Sequence, residues 1–457
     1  MLLENKFNNN ITQVDRYAFE VKGKKSLHFK LLEGEFQHFF IVVKDPKNEI
    51  KAIFTFKTRL KSYYMSNDFN TYSNNSLKGE LLDGIWNIEV VRTYPINNGY
   101  KIEITFDEKE DCENLKCEEL YFNPFYQDTK KIYDKRAAWY QGDLHLHSYF
   151  SDGRISLEDI DKECLHKDLD YISLTDHSVF TTKYPKTNYI VIPGTEITWD
   201  DHGHYNVWGY KGFLDYGKFV SETNTKNEAL DMMFKYIKDS GALLSYNHPF
   251  PRNWELVHDF DIQNVSNIEV INSPHLFDVE VDNEKCAEFF DYLWNQDILL
   301  YAVGGSDAHK KNYFERYPVG YPTTKIYCEG LSEEHLLEGI RNGHTYVQSW
   351  IEFEPLFYKK EPKNLVLPGS YVEGEVTMEA RCKENVTWEL IKNGIVECSQ
   401  TGKRFKQTVF INKNEYYRLQ ARKDGEIVFF ANPIHCKKRK EGKVMFQNLL
   451  QDFESKR

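Results

Sequence analysis

The chain has 457 residues, a formal net charge of -12, 41% hydrophobic residues and 28% charged residues. That balance supports a sizeable core and excludes global disorder. Lys and Arg total 58 against 70 Asp and Glu, so no net positive field gathers a polyanion, and a long nucleic acid is not the expected partner. A local basic pocket stays open.

The first residues, MLLENKFNNN, lack a charged segment followed by an apolar one, so no secretory signal is read there. No apolar run approaches the ~18 residues of a membrane span. The eight cysteines (Cys112, Cys117, Cys164, Cys286, Cys328, Cys382, Cys398 and Cys436) form no C-x-x-C pair. Reduced thiols in a cytoplasmic protein without membrane contact are the expectation.

Residues 1–137 read as an N-terminal β-sandwich. Short runs such as Phe39-Phe40-Ile41-Val42-Val43 and Trp86-Asn87-Ile88-Glu89-Val90-Val91 are separated by turn formers such as Asp45-Pro46 and Asp83-Gly84, as in an antiparallel sandwich. The loop from Ser66 to Lys78, with Asn67, Asn70, Asn74 and Asn75, reads as exposed.

From 138 to 350 short apolar strands alternate with amphipathic helices. Ser156 starts a helix with Leu157, Ile160, Cys164 and Leu165 on one face, and Asp159 serves as its capping partner. Lys226 to Ser240 is a second helix, stopped by Gly241. Strands are expected at Asp170 to Thr175, Ala242 to Tyr246, Asn267 to Ile271 and Ile298 to Val303. This alternation predicts a mostly parallel sheet or barrel. Residues 351–457 return to a β pattern, with a hairpin turn at Asn393-Gly394 and a short terminal helix within 443–453.

Ten of the fifteen histidines lie between His145 and His309. His145-Leu146-His147 follows an apolar-flanked segment, so both rings can leave one face of a strand. Asp152 follows in Ser151-Asp152-Gly153. His177 comes in Thr175-Asp176-His177, Glu196 after Pro193-Gly194-Thr195, and His204 in Gly203-His204-Tyr205. His248 comes in Asn247-His248-Pro249, with Asp307 and His309 after Gly304-Gly305. Ligand-type residues thus recur at the ends of successive strands, which converge on one mouth in a parallel barrel. Imidazoles with carboxylates suit Zn, Fe or Mn. The set exceeds the needs of one tetrahedral ion, so two or three divalent ions are expected, with Glu196 bridging. His166, His258 and His275 read as structural, while His202 competes with His204 for the ligand position.

These motifs resemble those of the PHP (polymerase and histidinol phosphatase) superfamily of metal-dependent hydrolases, over about residues 138–350. Gly142-Asp143-Leu144-His145-Leu146-His147 with Ser151-Asp152-Gly153 is similar to the branch that includes carbaryl-type hydrolases. Leu331-Ser332-Glu333-Glu334 through Gly343-His344-Thr345-Tyr346-Val347 resembles its last helix and strand, and Ala431-Asn432-Pro433-Ile434 its closing segment. The resemblance implies an α/β fold, a distorted (β/α)7 barrel, here flanked by N- and C-terminal β-sandwich-like domains. It also implies a trinuclear site. The first metal would take His145, His147, Glu196 and Asp307, the second Glu196, His204 and His248, and the third Asp152, His177 and His309. Asp176 would orient a ligand or cap the turn, with direct ligation as the lesser alternative.

The leading expectation is hydrolysis of a small phosphate ester by a metal-bound hydroxide. Glu196, Asp307 and His248 are the candidate catalytic groups, and either Asp307 or His248 would protonate the leaving group. Arg252 and Lys310 could bind the phosphate or be solvated loop cations. The same metals could instead cleave a carbamate, amide or carboxylic ester, with Tyr149, Phe180, Trp199 and Trp254 lining an aromatic mouth. A non-catalytic metal-binding or assembly role is the third reading. Oligomeric state is not legible.

Overall fold

The computed structural model describes residues 1–457 apart from 7–12, 34–38, 56–61, 69–71, 94–98, 108–119, 201, 252–254, 273–280, 311–318 and 360–363. In the N-terminal part, the alternating sequence forms two four-stranded antiparallel sheets. One runs Leu2–Lys6, Gly99–Phe106, Ser26–Glu33, Ser62–Ser66, and the other Gln13–Val21, Gly84–Arg92, Phe39–Lys44, Ile50–Thr55. Phe29, Ile102 and Ile104 from the first share a core with Val21, Ile41, Val43, Ile88 and Val90 from the second. The strand Phe39–Lys44 is buried along its whole length, because its other face also has a partner. Phe40 and Val42 join the central core, and Phe40 stacks on Tyr216 with ring centroids 4.4 Å apart. Burial on both faces explains why this strand reads as a continuous apolar run.

The loop expected to be exposed is held down in its second half. Tyr72, Asn74, Asn75 and Ser76 are buried, whereas Asn70 lies outside the described residues. Asn74 Oδ1 accepts from the amides of Thr182 and Lys183, and its Nδ2 donates to the Lys183 carbonyl at 3.1 Å. A side-chain amide that accepts and donates in this way stands in for a strand partner, which polarity alone does not reveal.

The central part contains two open sheets. Ile190–Val191, Tyr171–Leu174, Ala138–Leu146, Thr323–Cys328 and Thr345–Gln348 form one end of a twelve-stranded sheet. Gly194–Asp200, Gly203–Trp208, Leu243–Tyr246, Asn267–Asn272 and Tyr301–Gly305 form a five-stranded sheet. Parallel pairs occur as expected between Leu243–Tyr246 and Asn267–Asn272 and between Asn267–Asn272 and Tyr301–Gly305. The hairpin Gly194–Asp200/Gly203–Trp208 and the pairing of Ala138–Leu146 with Thr323–Cys328 are antiparallel. The sheets are therefore mixed, and the ladders do not close into a (β/α)7 ring. Backbone departs from extended geometry at Ser178, His248 and Asp307, with φ of 57°, 26° and 50°, a region a non-glycine residue enters at a cost.

Helices with side-chain N-caps flank these sheets, among them Leu157–His166, Lys226–Asp239, Asn283–Asn295 and Glu333–Arg341, capped by Ser156, Thr225, Asp282 and Ser332. Ser156 Oγ accepts from the Asp159 amide at 3.1 Å, satisfying one of the amides a helix start leaves open.

The ladder continues across the expected boundary at 350, since Thr345–Gln348 pairs with Glu426–Ala431. The strand Gly374–Lys392 carries an irregularity between Arg381 and Val386. It turns at Asn393-Gly394 into Ile395–Ile411, with Lys392 paired to Ile395. Both turn residues have positive φ, 49° and 82°, the requirement of a type I′ turn. The terminal helix Phe446–Lys456 sends Phe446, Leu449 and Phe453 into the central core. Among the described residues Cys164, Cys286, Cys328, Cys382, Cys398 and Cys436 are free thiols, and no helix is long and apolar enough to cross a membrane.

Candidate metal centre

The site lies on the seams between the two sheets. Each edge of the five-stranded sheet reaches the twelve-stranded one through a single parallel bridge, Leu146 to Ala308 and His177 to Glu196. The first is flanked by His145 and His147 on one side and by Asp307 and His309 on the other. There the Asp307 amide donates to the His145 carbonyl at 2.7 Å and the His147 amide to the Ala308 carbonyl at 3.0 Å. The second seam is held by the Ser178 amide on the Glu196 carbonyl at 2.7 Å. The chain thus brings its candidate ligands together by backbone pairing.

His177, His248, Asp307 and His309 follow strand ends, as expected. Glu196 and His204 instead lie within the hairpin, opposite Asn206 and Thr198 respectively. Glu196 is central. Its Oε1 is 3.2 Å from His145 Nε2, 3.4 Å from His204 Nδ1 and 3.4 Å from His248 Nε2. Its Oε2 is 2.9 Å from His177 Nδ1 and 3.4 Å from His147 Nε2. Asp307 Oδ1 lies 3.1 Å from His147 Nε2 and 3.4 Å from His145 Nε2. Asp152 is 3.1 Å from His309 Nε2 and 3.3 Å from His177 Nε2.

Among the described residues four overlapping groups of donors result, each with its candidate ligand atoms within 4.8 Å of one another: His147, Asp152, His177 and His309; His145, His147 and Asp307; His177, Glu196 and His204; and His145, His248 and Glu269. All nine residues singled out from the sequence as ligands fall within these groups. His145 Nε2, His147 Nε2, Asp152 Oδ1 and Glu196 Oε2 are buried without a hydrogen bond. Orphaned polar atoms of this kind cost free energy unless a partner or an ion meets them. Imidazole nitrogens and carboxylate oxygens fit borderline divalent ions such as Zn, Mn or Fe.

The electrostatics agree. Burial would raise Glu196 and Asp307, but the imidazoles around them hold both well below the usual carboxylate range. Burial, with His309 and His177 nearby, pushes His147 down to about 3, leaving it neutral. Burial also disfavours the charged form of His309, yet Asp152 and Asp307 raise it to about 9. Ionised carboxylates beside imidazoles attract cations of either kind, protons or metal ions.

Other residues sort clearly. His202 turns to the Glu255 carbonyl at 3.2 Å, while His204 faces Glu196. His258 is buried with Asp200 at 2.9 Å and Tyr205 at 3.0 Å, and His166 is exposed. Asp176 accepts from the Ser148 amide, Ser148 Oγ and Ser151 Oγ at 2.8, 2.7 and 2.6 Å, holding the turn after His147. Lys310 is exposed next to His309. Arg252, Trp254 and His275 lie outside the described residues. Phe180 and Trp199, expected at an aromatic mouth, are buried in the central core against Phe125 and Tyr216. Alternation within the hairpin strand turns Trp199 away from solvent. Tyr149 is half-buried against Phe150.

Sequence reasoning passed over Glu269. It is the one carboxylate in the strand Asn267–Asn272 and is buried. A charged residue inside a strand buried along its length was the available signal. Asn247 was also missed; its Nδ2 donates to Glu196 Oε1 at 2.8 Å.

No protein-family model matches the sequence, and no curated protein matches it. Among solved structures, a two-domain protein from Bacteroides vulgatus containing a predicted PHP-like metal-dependent phosphoesterase is 18% identical, with 70% of this chain and 99% of that chain covered and a TM-score of 0.36. A candidate metal-dependent phosphoesterase from Bifidobacterium adolescentis is 14% identical over 43% of this chain and 94% of that one, with a TM-score of 0.27. An amidohydrolase from Chromobacterium violaceum, with sulfate and no metal bound, is 14% identical over 45% and 97%, with a TM-score of 0.26. Likeness at this level assigns no activity to the chain.

Proposed function

We propose that the chain is a metal-dependent hydrolase of the PHP type acting on a small phosphate ester with two or three divalent ions, Zn, Mn or Fe. One observation carries this reading: nine histidines and carboxylates, from motifs spread over 165 positions between His145 and His309, converge in donor groups within 4.8 Å. When bound, such ions supply Lewis acidity and ease the deprotonation of water. His145, His147, Glu196 and Asp307 would hold one ion, Glu196, His204 and His248 a second, and Asp152, His177 and His309 a third. Glu196 would orient His145, His147, His177, His204 and His248, the five imidazoles it contacts. Asp307 or His248, with Oδ2 and Nε2 3.9 Å apart, would carry the proton for the leaving group. Lys310, exposed beside His309, would meet substrate phosphate, as would Arg252.

The same donors would serve cleavage of a carbamate, amide or carboxylic ester. The burial of Phe180 and Trp199 removes two residues of the apolar mouth which that reading invoked, so the phosphate ester stands first. Metal-loaded protein should be assayed on p-nitrophenyl phosphate and on a p-nitrophenyl carbamate, with a chelated control. Chelator-sensitive release from the phosphate is the expected result. Preference for the carbamate would replace phosphorus by carbonyl carbon, and no turnover of either would favour a non-catalytic metal-binding role.

A further inference from the structure

We propose that Glu269 is a positioning residue that fixes the imidazole of His145 with the proton on Nδ1 and the Nε2 lone pair turned to the metal. This rests on the metal-hydrolase reading and extends it to a carboxylate outside the nine ligands.

Glu269 Oε1 lies 3.0 Å from His145 Nδ1. Its Oε2 accepts from the His248 backbone amide at 3.0 Å and from Asn272 Nδ2 at 3.1 Å. Both oxygens are therefore engaged by this chain's own groups, so Glu269 is not a free donor for an ion even though it lies among candidate ligands. With Oε2 accepting from two donors, Oε1 is placed to accept as well, which puts the hydrogen on the ring nitrogen facing it. The opposite nitrogen, His145 Nε2, faces Glu196 and Asp307 at 3.2 and 3.4 Å and has no hydrogen bond. A ligating imidazole held through its other nitrogen by a carboxylate keeps its orientation and gains basicity. Asn272 Nδ2 also reaches Asp307 Oδ2 at 3.3 Å, so the support of His145 is joined to that of Asp307.

Glutamine at 269 has a specific consequence. The His248 amide is a fixed donor, so the carbonyl of the new side chain must face it. The NH2 group then faces His145 Nδ1, which can accept only if bare. The hydrogen moves to Nε2, where it blocks the metal. Alanine leaves room for water, which can accept from Nδ1–H. Glu269→Gln should therefore be at least as damaging to metal binding as Glu269→Ala, the reverse of what a space-filling role gives.

The test is zinc titration of the chelator-stripped full-length chain against a chromophoric competitor. Wild type, Glu269→Gln and Glu269→Ala are compared. The expected result is a loss of zinc affinity of about 10–100-fold in Glu269→Gln, with Glu269→Ala no worse. Wild-type affinity in Glu269→Gln, or a larger loss in Glu269→Ala, overturns the assignment of Glu269 and leaves the hydrolase reading standing. Failure of wild type to bind zinc overturns both. A measurement independent of the variants' folding is the ring-nitrogen spectrum of zinc-loaded wild type with 15N-labelled histidine. A His145 ring protonated at Nδ1 is expected, and one protonated at Nε2 overturns the proposal.

Discussion

His177 and Glu196 face each other across an isolated parallel β-bridge, with Glu196 Oε2 2.9 Å from His177 Nδ1. Two open sheets meet at this pair and at the bridge of Leu146 with Ala308. Candidate ligands border both seams, so ions bound there would tie together edges that the backbone joins at one residue each. Metal loading should raise the thermal midpoint, with a gain of about 2.7 kcal/mol at free metal 100 times the Kd. Differential scanning calorimetry of loaded and stripped protein checks this; equal midpoints would speak against ions at the seams.

Glu196→Gln keeps the shape but removes charge at the residue touching five imidazoles. It should lose at least one ion and lower turnover by about 100-fold or more, with the far-UV spectrum retained. Metal content and kcat measured on one preparation decide the point. Full activity with every ion still bound would remove Glu196 from the centre.

Asp176 is fully buried and accepts three hydrogen bonds, from the amide and hydroxyl of Ser148 and the hydroxyl of Ser151. An asparagine there can accept on one atom only, leaving a buried mismatch. Asp176→Asn should cost about 1–3 kcal/mol in urea unfolding of the metal-free chain. Unchanged stability combined with loss of an ion would make Asp176 a ligand instead of the brace of this turn.

His435 lies far along the chain from the metal motifs, in the C-terminal sheet, and is buried. Burial pushes its imidazole from 6.5 down to about 4, while its Nδ1 accepts from the Lys437 amide at 3.2 Å. As pH falls below 6.5 the unfolded chain takes the proton first, and the folded chain follows near 4. Stability present above pH 6.5 is thus lost through that window, by up to about 3 kcal/mol at ~1.36 kcal/mol per unit. Urea unfolding at pH 7.5 and pH 5 should show a smaller pH dependence in His435→Gln than in wild type; identical dependence would contradict a neutral, buried His435.

Much of the donor set was legible because its residues stand in short motifs beside apolar strands, and imidazoles with carboxylates at strand ends have few other uses. Glu196 and His204 were readable as candidate ligands, but their hairpin was not. The antiparallel return through His204 depends on pairing with Leu243–Tyr246, a contact distant in sequence. Glu269 was hidden because its strand was recognised by its apolar neighbours, and the partner that makes its charge tolerable, His145, lies 124 positions away. The clamp of Asn74 on Thr182 and Lys183 was invisible for the same reason, since asparagine in a polar loop has the composition of an exposed turn. Strand–helix alternation predicted a mostly parallel sheet or barrel, whereas the antiparallel hairpin and the antiparallel pairing of Ala138–Leu146 with Thr323–Cys328 make the sheets mixed and open.

The most direct test of the account is the metal content of the full-length chain, stripped with chelator, reloaded with zinc or manganese and measured by inductively coupled plasma mass spectrometry. Two or three ions per chain are expected for wild type, with at least one fewer in Glu196→Gln. Less than one tightly held ion per wild-type chain would contradict the metal centre and, with it, the proposed hydrolase.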